Sequence, residues 1–171
     1  MKAKLLRVLL LVAVVLSMIS CSPDAPGATV SAATASASTQ KAIVYTYNSD
    51  EVALMALINT YRVSVGLNAL EQINYISYKS EEHNTYMIAN NLVNHNDFVA
   101  RSQDIMNVLG AKTVSENIAY NYNTPQAALT AWLNSPTHKE NIEGNFSNFG
   151  ISIRIDPVNG KKYYTNMFVK I

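Results

Sequence analysis

The chain has 171 residues, a formal net charge of +1 and only 15% charged side chains. That length leaves room for one domain once terminal segments are set aside, and the near-neutral balance lacks the basic surface that phosphate backbones require, which argues against a nucleic-acid partner. The single cysteine, Cys21, rules out an internal disulfide framework, so a folded domain here must be held by burial alone.

Lys2, Lys4 and Arg7 precede an apolar run from Val8 to Leu16, and small or apolar residues lead on to Ser20 and Cys21. This is the layout of a secretory signal peptide over residues 1–20: a positive start, an apolar stretch short for a membrane span, and a small residue before the cut. Leu16-Ser17-Met18-Ile19-Ser20-Cys21 resembles a bacterial lipobox, in which the cysteine is lipidated and becomes the mature N-terminus. The alternative is an ordinary signal peptide with an incidental cysteine. Lipidation is the favoured reading, because an unpaired secreted thiol is otherwise left to oxidise and several acyl chains together anchor stably where one does not. The expected location is then extracytoplasmic, on the cell envelope by a membrane anchor at Cys21, or secreted should Cys21 stay unmodified.

Residues 21–45 are expected to form a flexible tether, since the stretch to Gln40 is Ser, Ala, Thr, Pro and Gly with hardly a large apolar side chain to offset chain entropy. The domain follows over residues 46–171. Ser49 with Asp50 and Glu51 reads as an N-cap with an acidic first turn, and Leu54, Ile58, Tyr61 and Val65 recur at helical spacing until Gly66. A second helix is expected from about Tyr75 to Asn91, with Tyr78, Tyr86, Ala89 and Val93 as its buried stripe, and a third from Asp97 to Leu109 before Gly110. Val114 to Tyr122 reads as a strand or extended segment. Thr124-Pro125 opens a fourth helix whose apolar face is Ala128, Leu129, Trp132 and Leu133, with Pro136 as its breaker. Ile151, Ile153 and Ile155 alternate with Ser152 and Arg154, Asp156-Pro157-Val158-Asn159-Gly160 supplies a turn, and Tyr163 to Val169 alternates again, which predicts a C-terminal β-hairpin. Helices leading into an antiparallel sheet make an α+β domain.

Five blocks carry a resemblance. Asn59-Thr60-Tyr61-Arg62 through Gly66-Leu67-Asn68-Ala69-Leu70, Asn91-Leu92-Val93-Asn94-His95, Ser115-Glu116-Asn117-Ile118-Ala119, Trp132 through His138 to Ile142, and Asn148-Phe149-Gly150-Ile151-Ser152 resemble, in order and spacing, the blocks of bacterial CAP domains. These form the superfamily of cysteine-rich secretory proteins, antigen 5 and pathogenesis-related 1 proteins. The resemblance implies a three-layer α-β-α sandwich with a small antiparallel sheet, an extracytoplasmic location, and a cleft built around His95, Glu116 and His138. It implies no single activity, since members are variously lipid binders, inhibitors, toxins or hydrolases. Ser115 stands where the family usually has Gly, and Asn134-Ser135 stands where a second acid falls in eukaryotic members, so their tetrad of two His and two acids is incomplete here.

Two imidazoles and a carboxylate can hold zinc or another divalent cation with a position open, so His95, His138 and Glu116 are a candidate metal set and Glu116 a candidate general base. Against this, each residue has an ordinary structural reading as a cap or hydrogen-bonder. His83 reads as a packed or surface residue outside the site, Trp132 as core, and Asn59 and Arg62 as hydrogen-bonders around the first helix. The expected function is an envelope-anchored, monomeric binding module for a small lipid, glycan or protein. The alternatives are a metal-assisted hydrolase of envelope polymers or peptides, and a purely structural envelope protein. No nucleophile elbow, and no second carboxylate for glycoside hydrolysis, supports an enzyme.

Overall fold

A computed structural model describes residues 43–171. The expected signal peptide, the lipidation site Cys21 and most of the tether lie outside the described residues. At the start of the described residues Ile43 packs on the core, and Tyr45 is buried with its hydroxyl on Glu51 Oε1 at 2.8 Å.

In chain order the elements are α1 Ser49–Ser64, β1 Glu71–Gln72, α2 Asn74–Asn90, α3 Phe98–Leu109, β2 Thr113–Tyr120, α4 Pro125–Leu133, α5 Pro136–Glu143, β3 Asn148–Ile155 and β4 Lys162–Lys170. The sheet order is β1-β3-β4-β2, antiparallel throughout its three long strands, with the two-residue β1 pairing parallel to β3. Alternation along the strands sends side chains to two cores. Leu54, Ile58, Trp132 and Ile142 of α1, α4 and α5 pack with Phe149, Ile151, Tyr164 and Phe168 on one face, while Tyr75, Ile76 and Ile105 of α2 and α3 meet Met167 and Val169 on the other. The result is the expected α-β-α sandwich.

The ends of the elements follow local chemistry. Asn48, one residue before the expected cap, forms a capping box with Glu51 and starts α1, and Gly66 at φ +84° lies just past its end. Thr124 Oγ1 accepts from Ala127 N at 3.2 Å to cap α4. Pro136 does more than break α4, as it also opens α5, where a missing N–H costs nothing at the first helical position. Buried Arg62 ties α1 to the end of α5 by donating to the carbonyls of Ile142 and Gly144, at 2.6 and 3.0 Å.

The expected stripe on α2 is not the one that is buried. Tyr78 and Val93 are exposed, and the face turned to the sheet carries Ile76, Ser77, Ser80, His83, Asn84 and Met87. Its small polar residues serve the edge of β3: Ser77 Oγ accepts from Ile151 N at 3.0 Å, and Ser80 Oγ donates to Gly150 O at 3.2 Å. Gly150 lets α2 come this close, since a Cβ there would run into Ser77 N and the Ile76 carbonyl carbon. Farther along, Glu51 Oε1 accepts from Ile153 N at 2.8 Å, and its charge is met by Arg154 at 2.7 Å. Ile155, expected inside, is exposed at the end of β3 beyond this cover.

Candidate functional site

β2 is the edge strand on the opposite side of the sheet from β1, and Glu116 lies at its middle with the side chain turned toward α2 and α3. His95 comes from the loop that joins those helices. That loop is fixed at both ends by residues in the left-handed region, Asn91 at φ 50° closing α2 and Asp97 at φ 59° preceding α3. Asn and Asp tolerate this conformation better than other L residues, which is why the chain can turn sharply here without glycine. The turn carries the His95 ring over β2.

His95 Nδ1 lies 2.8 Å from Glu116 Oε1. The carboxylate can only accept, so Nδ1 carries the proton and Nε2 is left facing outward from a half-exposed ring. Arg101, one turn into α3, donates Nη2 to both Glu116 oxygens at 3.1 and 2.9 Å, and its Nη1 binds the Asn96 carbonyl at 2.5 Å. His83 lies beneath, with Nε2 donating to Asn94 O at 2.8 Å and standing 3.9 Å from Glu116 Oε1. Sequence reasoning set His83 aside from the site. It is packed, as expected, yet it belongs to this cluster and holds the loop that carries His95. Arg101 was missed altogether. His83 has a traceable signal in the polar helical-period stripe it shares with Ser80, whereas nothing in its spacing marks Arg101.

Glu116 is buried at 6% exposure. Burial pushes its carboxyl pKa up, but the His95 hydrogen bond and the charge and hydrogen bonds of Arg101 outweigh it and hold the group below the ordinary carboxylate range. It is a fixed anion. Burial pushes His83 down, ahead of the opposing pull of Glu116, and among the described residues its Nδ1 has no partner.

His138, near the start of α5, stands on the other flank of β2 and does not touch the carboxylate. Its backbone carbonyl accepts from Asn117 Nδ2 at 2.9 Å, and Asn141 Nδ2 bridges Asn117 Oδ1 at 2.8 Å and the Glu116 carbonyl at 3.2 Å. Its Nδ1 pairs with Ser135 Oγ at 2.9 Å. Burial lowers the His138 pKa, and the charge on nearby His95 lowers it further. The structure thus joins His95 to Glu116 directly and places His138 across the strand edge from them.

This arrangement does not fit the candidate metal set. Among the described residues no three His, Cys, Asp or Glu side chains come within ligating reach of one another. A divalent cation at Glu116 would also have to displace the guanidinium that already spans both oxygens. Here His95 and Glu116 form a hydrogen-bonded pair and His138 stands apart from the carboxylate, on the other flank of β2.

The model of the cysteine-rich secretory protein family, CAP, matches residues 55–169, well over half of the chain. The chain belongs to this family. A Bacillus subtilis protein named as an uncharacterized membrane protein is 29% identical over 124 residues, 70% of this chain and 34% of its own length. The chain therefore spans about a third of that relative. Two solved structures share the CAP fold. An outer surface protein of Borrelia burgdorferi superposes with a TM-score of 0.63 at 20% identity over 74% of this chain and 96% of its own. An extracellular SCP-domain protein of Bacillus anthracis also reaches 0.63, at 23% identity over 88% and 45%. Among the described residues of this CAP domain, no helix is long and apolar enough to cross a membrane.

Proposed function

We propose that this CAP domain is a non-catalytic binding module displayed on the cell envelope by a lipid on Cys21, taking its ligand in the cleft beside β2 between the His95 and His138 flanks. The observation that carries the reading is the state of Glu116. Both carboxylate oxygens are taken by Arg101 and one also by His95, in a site closed to solvent. A general base must be able to reach and take a proton, whereas this carboxylate is buried and held as an anion by the Arg101 guanidinium and the His95 ring. Its role is to stiffen the edge strand and the 91–97 loop, so that the outward Nε2 of His95 and the neutral ring of His138 meet a ligand in fixed positions.

Calorimetric titration of the full chain in detergent with lipids, neutral and charged glycans and short peptides tests the binding role. Heat from at least one class, diminished in a His95→Ala/His138→Ala double variant, is expected. Silence across the panel, or steady turnover of a peptide or glycan substrate that Glu116→Gln abolishes, would contradict it. The anchor has its own readout in detergent phase partition: the mature chain should enter the detergent phase and Cys21→Ala the aqueous phase, and identical partition of the two would rule out lipidation.

A further inference from the structure

A cavity of 280 Å³ lies on the His138 flank, between the edge of β2 and the helices α4 and α5. Tyr122 and Trp132 line it together with the β2 residues Ile118, Ala119 and Tyr120, and Ser135 and His138 form the polar side. No carboxylate, ammonium or guanidinium lines it, and the imidazole is kept neutral at pH 7 by its burial. A ligand carrying a full charge would lose its hydration here without a counter-charge.

The backbone of β2 narrows the choice further. Asn121 N donates to Lys162 O at 2.8 Å in the pair that continues the β2–β4 register, so by alternation Glu116, Ile118 and Tyr120 turn their backbone groups to the open edge. Two of those carbonyls are already taken: Ile118 O by Trp132 Nε1 at 2.8 Å and Glu116 O by Asn141 Nδ2 at 3.2 Å. An extended peptide cannot add as a strand along an edge capped in this way. The cavity is also small against the range of about 300–1,000 Å³ usual for ligand sites, too small for a sterol or a folded acyl chain. What remains is a compact, uncharged group with C–H faces for aromatic rings and hydroxyls for Ser135, His138 and the Tyr120 edge.

We infer that this cavity takes one neutral sugar ring of a glycan, with its C–H face on the aromatic wall at Tyr122 and Trp132 and its hydroxyls on Ser135 Oγ, the His138 ring and the free backbone edge at Tyr120. The assignment rests on the binding-module reading and names its ligand class.

Saturation-transfer NMR on the full chain tests it, with methyl β-glucoside and N-acetylglucosamine as neutral rings and glucuronate, palmitate and tetra-alanine as contrasts. Transfer is expected to the ring C–H protons of the neutral sugars, reduced about tenfold or more by Ala131→Phe, which fills the cavity from α4. Tyr122→Ala, which removes a half-buried ring from the other wall, is the second variant should the first alter the thermal melt. No transfer to either neutral sugar, or transfer that both variants leave intact, would overturn the inference. If palmitate, glucuronate or the peptide shows transfer and the sugars do not, the binding role stands and the sugar assignment fails; silence from all five removes both.

Discussion

Glu116 is surrounded by donors: Arg101 spans its carboxylate, His95 donates from the loop above, and His83 stands below at 3.9 Å. The protonation states of these groups set a pH dependence whose sign can be worked out. Burial holds His83 and His138 below the ordinary imidazole value, so each stays neutral in the fold and takes up a proton more readily in the unfolded chain. Their contribution is therefore complete above about pH 6.5 and lost as pH falls from there toward their folded values. Glu116 has its pKa lowered in the fold from 4.5, so it adds a second loss as pH falls below that value. Urea unfolding across pH 4 to 8 should show stability declining on the acid side, with His83→Gln flattening the limb nearest neutrality. A stability independent of pH between about 5 and 7 would contradict these protonation states.

At the scale of elements, the two outer sides of the three-stranded core are sealed mostly by side chains, with the two-residue β1 as the only added strand among the described residues. β3 is closed by β1, Ser77 and Glu51, and β2 by Trp132 and Asn141. Unpaired strand edges invite pairing with other chains, so this cover helps keep the domain from associating edge to edge. The close seating of α2 depends on Gly150. Gly150→Ala should cost about 1–3 kcal/mol or more in urea unfolding, because the clash is with backbone that cannot rotate away, and an effect under about 0.5 kcal/mol would show that α2 is not held this tightly.

The same elements show what the sequence discloses. α1, α3, α4 and the β3–β4 hairpin were legible because apolar period, cap and turn residues agree there. The α2 stripe was not, since its inward face is chosen for hydrogen bonds to β3, so polar Ser77, Ser80 and Asn84 face in while Tyr78 faces out. α5 was hidden because Pro136 serves as both stop and start. His95, Glu116 and His138 were found only by resemblance, being far apart in sequence. Arg101 escaped because an arginine on a helix says nothing of its partner until the strand it meets is known.

Across the whole molecule, the CAP sandwich sets one edge strand between two helical layers and hangs a different histidine over each flank. Glu116 and Arg101 lock one side, the asparagine chain through Asn117 and Asn141 locks the other, and the proposed ligand surface is the edge between them. If this is a rigid binding cleft, its central carboxylate is a structural tie. Groups kept for catalysis or for capturing a metal can usually be neutralised without loss of stability, or even with a gain, whereas removing one partner of a buried ion pair strands the other. Equilibrium urea unfolding of Glu116→Gln against the parent chain separates the two directly. A loss of about 3–5 kcal/mol is expected, as Arg101 is left without its counter-charge. A change within about 0.5 kcal/mol, or a gain in stability, would contradict the structural role and mark Glu116 as a reactive group.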